Sequence, residues 1–206
     1  MIITEIKPCR KNETRVVADG EEFLLDTDVV LSAGLKAGAQ IEKGELLALC
    51  EESDFSRAKS RALWYLSRAD HSKKALYKKL CRAYPERAAE RAVARMEEMG
   101  LIDDFRYAER LSAALCDANV SDREILRKLF AKGVPSDIAK QVVDALASSP
   151  RAQITELIEK KYARKLQSED GVQKVYAALI RKGFSFGDVK AALREYSENL
   201  DNCEEV

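Results

Sequence analysis

Leu129-Phe130-Ala131-Lys132-Gly133 returns fifty residues later as Leu179-Ile180-Arg181-Lys182-Gly183, and Leu80 holds the same place 49 residues before Leu129. A fixed period of this size marks stacked supersecondary units. Around each leucine the apolar residues fall at helical spacing. In the first unit Ala58, Ala62, Tyr65 and Leu66 share a face, followed by Leu76 with Leu80, and then Ala89, Val93 and Met96, with Gly100 placed as a C-cap. In the second, Ile102 serves as a hydrophobic staple and Asp103 as the N-cap of a helix carrying Phe105, Ala108, Leu111 and Leu115. Ser121 and Glu124 predict a reciprocal capping box opening the helix of Ile125 and Leu129; Gly133 and Pro135 then break the chain before Ile138, Val142 and Val143. The third unit repeats the plan with Ile154, Leu157 and Ile158, then Val172, Val175 and Leu179, then Val189, Ala192, Leu193 and Tyr196. Lys161 and Lys165 fall on the side of Ile154 and Ile158, so either these lysines snorkel or the apolar stripe drifts.

The segment before these units has a different texture. Ile2–Lys7, Thr14–Ala18 and Glu22–Leu25 are short runs rich in β-branched or apolar residues, and Asp19-Gly20 is a strong hairpin signal. Short helices are expected over Asp28–Leu31 and Ile41–Leu49, with a separate helical pattern from Ser53 onward. The predicted fold is mainly α: tandem three-helix repeats in an elongated, curved array behind a small N-terminal β-containing region. The expected divisions are an N-terminal region at 1–53, repeats at 54–102, 103–150 and 151–196, and an acidic tail at 197–206. Three short helices bury little apolar area alone, so neighbouring repeats must share surface.

Composition agrees with a helix-rich chain: 13 glycines and prolines in 206 residues, with 34% charged and 46% apolar residues. The opening residues lack the apolar core of a signal peptide, and no apolar run is long enough to span a bilayer, so a cytoplasmic protein without membrane partners is expected. Five cysteines without a CxxC pair read as reduced thiols, and a single histidine gives a metal site or histidine relay little to build on. No metal or cofactor is expected, and the phosphate-cradling glycine motifs are missing. The zero net charge conceals blocks of −6 over 1–54, +7 over 55–100, −1 over 101–150, +4 over 151–196 and −4 over 197–206.

Asp70-His71-Ser72 invites a catalytic reading, but consecutive residues point in different directions and Ser72 stands where an N-cap belongs. Asp103-Asp104 likewise suits capping and the helix dipole better than a metal. The basic block carries more information. Arg57, Arg61, Trp64 and Arg68 fall on one helical stripe, and Lys74, Lys78 and Arg82 line the next helix opposite Leu76 and Leu80. Residues 55–82 hold nine cations and one acid, a concentration that attracts phosphates or an acidic protein groove, although charge runs are commonly just solvated faces. A lone tryptophan is more often buried between repeats; in an arginine stripe it can instead stack on a partner. These seven residues are the candidate partner-binding set. Glu124–Val143 has the outline of a helix-turn-helix, yet Pro135, Ser136 and Asp137 occupy the base-reading positions, which disfavours sequence-specific DNA reading.

Ala62-Leu63-Trp64-Tyr65-Leu66-Ser67-Arg68-Ala69-Asp70-His71-Ser72 with Leu76, Lys79 and Leu80, then Gly100-Leu101-Ile102-Asp103-Asp104-Phe105-Arg106-Tyr107-Ala108, then the Lys-Gly pairs at 132–133 and 182–183, together resemble the RecX family of regulatory proteins over about residues 55–196. Ala83-Tyr84 departs from the pattern, standing where a Lys-Gly pair is usual. The resemblance implies tandem three-helix repeats and a modulator, usually an inhibitor, of the RecA recombinase. It implies binding in the groove of the RecA filament on single-stranded DNA, suppressing strand exchange, ATP hydrolysis and co-protease activity, with a bearing on DNA repair and the SOS response. It carries over no catalytic residues; Asp103, Asp104 and Tyr107 match the signature and are assigned to capping and packing. A monomeric, non-enzymatic regulator is therefore expected, the alternative being a standalone helical DNA-binding protein of transcriptional or architectural type.

Overall fold

The β-branched and apolar residues of the first 26 positions build an antiparallel meander of β1 (Ile3–Pro8), β2 (Glu13–Ala18) and β3 (Glu21–Asp26), in the order β1-β2-β3. A computed structural model describes residues 1–9, 12–146, 149–168 and 170–204, with side chains as far as 197. Along β2 the pleat buries Thr14, Val16 and Ala18 and turns Arg15 outward between Glu5 and Glu22. Asp19 and Gly20, at φ 48° and 85°, make the tight turn between β2 and β3, both in the left-handed region that a primed hairpin turn requires. The inner face packs Ile3, Val16, Ala18 and Leu25 against Val30 of α1 (Thr27–Ser32) and Leu46 of α2 (Lys43–Leu66).

α2 is one continuous helix, Lys43–Leu66. This corrects the expectation of a short helix over 41–49 and a second from Ser53. Cys50-Glu51-Glu52-Ser53 contains no breaker; the change of apolar pattern there marks a change of packing partner. Leu46 faces the sheet, whereas Ala58 and Ala62 face the helices that follow. Ser53 itself is buried, and its hydroxyl accepts the Asp26 N–H at 2.7 Å, fastening the helix to the end of β3.

The chain divides into two compact units, Met1–Asp103 and the remainder from Asp104. The first holds the sheet and the helical triplet closed by α3 (Lys73–Leu80) and α4 (Glu86–Glu98). The second holds α5 (Asp104–Asp117), α6 (Asp122–Ala131) and α7 (Ser136–Ala145), then α8 (Pro150–Leu157), a π-helical turn (Ile158–Tyr162), α9 (Ala163–Leu166), α10 (Gly171–Arg181) and α11 (Phe186–Glu204). Each triplet has its own apolar core, and Leu80, Leu129 and Leu179 are fully buried at equivalent places. Gly133 and Gly183, at φ 85° and 91°, let Val134 and Phe184 donate their N–H back to the carbonyls of Leu129 and Leu179. In the first triplet, where Ala83-Tyr84 replaces Lys-Gly, the N–H of Tyr84 reaches the Leu80 carbonyl at 3.0 Å without a left-handed residue.

The untidy helix of the third repeat resolves through the π turn. One extra residue rotates the register, so burial passes from Ile154, Leu157 and Ile158 to Tyr162, and Lys161 and Lys165 emerge exposed. The stripe drifts. Val172 corrects another expectation: it is 52% exposed, because the inward row of α10 is Gly171, Val175 and Leu179. The capping box forms only by half. Ser121 Oγ accepts the Glu124 N–H at 3.4 Å, but the Glu124 carboxylate is held by Arg127, and the Ser121 N–H goes instead to the Lys182 carbonyl at 3.2 Å. Ser121 Oγ donates to that same carbonyl, and Lys182 Nζ donates to the carbonyls of Ala118 and Asn119. The second Lys-Gly turn thus locks the third repeat onto the start of α6. α11 runs into the stretch read as an acidic tail, whose side chains beyond Ser197 lie outside the described residues.

Candidate cationic binding face

The carboxyl half of α2 buries Ala58 and Ala62 inward, so the stripe beside them, at intervals of three and four residues, is left for solvent. Arg61 and Trp64 occupy it and Arg68 follows just past the helix end, all exposed. The Arg68 guanidinium stands 4.3 Å from the centroid of the Trp64 ring and that of Arg61 5.3 Å. Trp64 is 43% exposed and meets Tyr65 edge to face, so it is not the buried inter-repeat contact that a lone tryptophan usually makes. On α3, burial of Leu76 and Leu80 turns Lys74 and Lys78 outward, and Arg82 follows just past the helix end.

The corner joining the two ridges is built by Asp70-His71-Ser72. Ser72 is fully buried and its Oγ accepts the Ala75 N–H at 3.1 Å, which is the capping role. His71 Nε2 lies 3.2 Å from Lys79 Nζ, which sits 4.9 Å above the Tyr65 ring. Lys79 therefore ties α3 to α2 by cation–π contact and does not belong to the outward set.

The structure separates Arg57 from its companions. Its guanidinium pairs with Glu13 of β2 at 2.9 Å, both side chains being about three-quarters covered, so it joins α2 to the sheet. Cations of α4 and the first residue of α3 are similarly matched: Arg87 with Glu51, Arg91 with Glu52 and the Phe55 ring, Lys73 with Glu97. By contrast, Arg61, Arg68, Lys74, Lys78 and Arg82 form no ion pair among the described residues. Five cations without ion pairs, two of them beside an exposed indole, can recognise phosphates or carboxylates and offer an aromatic plane for stacking.

The second unit contains a cationic cleft that the sequence reading did not single out, where Arg151 of α8 faces Lys190 and Arg194 of α11. Its only signal in the sequence is the helical row Gly187, Lys190, Ala191, Arg194. Elsewhere, burial and Asp54 raise the Cys50 thiol pKa, and Cys9, Cys50, Cys81 and Cys116 are free thiols. Among the described residues no group of three or more His, Cys, Asp or Glu could hold a metal ion, and no helix is long and apolar enough to cross a membrane.

Comparison with known proteins places these features. The family model for the first three-helix domain of RecX matches residues 58–96, and that for the third three-helix domain matches residues 151–193. The Regulatory protein RecX of Clostridioides difficile (strain 630) is 27% identical over 201 residues, covering 94% of this chain and 95% of its own. That of Clostridium tetani is 25% identical over 202 residues, covering 94% and 93%. Among solved structures, a crystal structure of regulatory protein RecX matches with a TM-score of 0.63 at 23% identity, covering 94% of this chain and 98% of the other. RecX from Lactobacillus salivarius matches with a TM-score of 0.57 at 23% identity, covering 69% and 96%. These two structures speak to the fold.

Proposed function

The chain carries RecX three-helix domains and resembles RecX regulatory proteins along nearly its whole length, and on that premise we propose that it is a non-enzymatic regulator that binds the RecA recombinase filament on single-stranded DNA and inhibits it. It acts in the cytoplasm, as a monomer and without a cofactor. Inhibition covers strand exchange, ATP hydrolysis and co-protease activity together, because all three depend on the filament it occupies.

The observation that carries this reading is the set of exposed cations without ion pairs, Arg61 and Arg68 beside the exposed Trp64 and Lys74, Lys78 and Arg82 along and just past α3. A folded surface ordinarily interleaves both signs of charge, as α2 and α4 do on their other flanks. A filament on DNA presents phosphates and acidic side chains, and cations facing them release counterions on contact, so binding should weaken as salt rises. Arg57 contributes indirectly, by holding α2 to the sheet.

The test is RecA ATP hydrolysis on single-stranded DNA, titrated with the unaltered protein and with a variant in which the five unmatched cations are replaced by glutamate. Weaker inhibition by the variant, with circular dichroism unchanged, supports the reading. Equal inhibition by both assigns the face to solvent. A protein that retards DNA equally well without RecA, and leaves RecA hydrolysis untouched, would be the standalone DNA-binding type instead.

A further inference from the structure

The cleft between α8 and α11 has a volume of about 420 Å³ and is lined by Arg151, Gly187, Lys190, Ala191, Arg194 and Glu195. On α11 the row 187, 190, 191, 194 alternates small residues with cations at intervals of three and four, so one helix face carries a bare strip with a cation at each step. Arg151 closes the opposite wall. The lining holds three cations and one carboxylate, Glu195, which pairs with Arg151 at 3.4 Å. Asp188 is on the same helical turn, but its carboxylate accepts from the Ser185 hydroxyl at 2.6 Å, within the cap of α11. A Cβ built on Gly187 would meet nothing closer than Ser185 Oγ at 3.9 Å, so the first turn of α11 is open from the cleft side.

An aromatic pair adjoins this end of α11. Phe186, the residue before Gly187, is 67% exposed and stacks with Tyr176 of α10, the rings 6.3 Å apart and 29° from parallel. An exposed phenylalanine has no use to a free inorganic anion, whereas successive bases of a strand stack on such rings while cations track its phosphates.

We propose that the cleft of Arg151, Lys190 and Arg194 is a second anion site, one that takes phosphate oxyanions, with the phosphodiester backbone of a single nucleic-acid strand as their source. This site lies in the other compact unit from the Trp64 face and does not depend on the recombinase reading.

The test uses the full chain alone, with no recombinase, by following backbone amide signals of Gly187, Lys190 and Arg194 in NMR titrations. One arm adds inorganic tripolyphosphate, the other the oligonucleotide (dT)12. Saturable shifts in both arms that weaken with salt support the site and its strand source. Shifts with tripolyphosphate alone support the anion site and replace the strand with a free polyphosphate. The decisive variant is Gly187→Glu: a carboxylate in the first turn suits the helix dipole, so the thermal midpoint should hold or rise while the affinity for both probes falls at least tenfold. The triple variant Arg151→Ala, Lys190→Ala, Arg194→Ala should lose the shifts as well. Absence of saturable shifts in both arms, or shifts that persist in Gly187→Glu, overturns the proposal while leaving filament binding untouched.

Discussion

Replacing Gly183 by alanine should cost several times what the same change costs at Gly100, although both glycines end helices in the left-handed region. An L-residue there costs about 1–2 kcal/mol, and alanine returns about 0.4–1 kcal/mol by narrowing the unfolded ensemble. At Gly100, where φ is 67° and nothing lies within 4 Å of a new Cβ, the net loss is therefore about 0.5–1 kcal/mol. At Gly183, φ is 91° and the new Cβ would stand 2.5 Å from Ser121 Oγ and 2.6 Å from Glu124 Cβ. Something must shift, at about 1–3 kcal/mol for overpacking, and the group that shifts is the one bonding the Lys182 carbonyl. The expected total is about 2–4 kcal/mol. Urea unfolding followed by circular dichroism measures both variants, and amide exchange locates the loss. The Ser121 N–H, which donates to Lys182, should exchange faster in Gly183→Ala and unchanged in Gly100→Ala. Equal losses, or an undisturbed Ser121 amide, would refute the interlock between the second and third repeats.

Other outcomes follow from the same geometry. Leu129→Ala, at a fully buried position, should cost about 2–5 kcal/mol, against less than about 0.5 kcal/mol for Lys128→Gln, both read from chemical denaturation. Ser121→Ala removes a cap worth about 1 kcal/mol together with the bond that its hydroxyl donates to the Lys182 carbonyl, so it should cost more than a cap alone. Burial, then the charges of Lys161 and Lys128, lower the Lys182 pKa from its ordinary 10.5. The folded state thus binds fewer protons there than the unfolded one, and stability should rise with pH across the interval between the lowered value and 10.5. Lys182→Gln should lose that rise, which paired melts across the interval will show. Trp64 is the only tryptophan, and its exposure predicts ready quenching of its emission by iodide, with protection on filament binding.

The repeats were legible because helical periodicity and the Leu-x-x-Lys-Gly turn are local: each core leucine announces itself by spacing, and each glycine by the left-handed turn it permits. What escaped depended on partners distant in sequence. Nothing around Ser53 says that its hydroxyl will take the Asp26 N–H and let one helix serve two cores. Arg57 looks like its stripe-mates until Glu13 of β2 is brought beside it. The clash of Lys161 and Lys165 with the apolar stripe was visible, and a single π turn supplied the drift. The half-formed capping box needed the Lys182 carbonyl, and the α8–α11 cleft needed Arg151 to meet a row from another helix. Of the candidate residues, Arg61, Trp64, Lys74 and Lys78 point outward from α2 and α3 as the helical projection places them, whereas Arg68 and Arg82 stand exposed just past the ends of those helices.

Co-sedimentation with RecA filaments assembled on single-stranded DNA, with and without nucleotide, tests the account most directly. The unaltered protein should pellet with nucleotide-bound filaments and be released as salt rises; the variant with Arg61, Arg68, Lys74, Lys78 and Arg82 reversed to glutamate should stay in the supernatant while keeping its helical spectrum. If the unaltered protein remains in the supernatant at low salt, or the reversed variant pellets as fully as the unaltered one, the claim that this face engages the filament is contradicted.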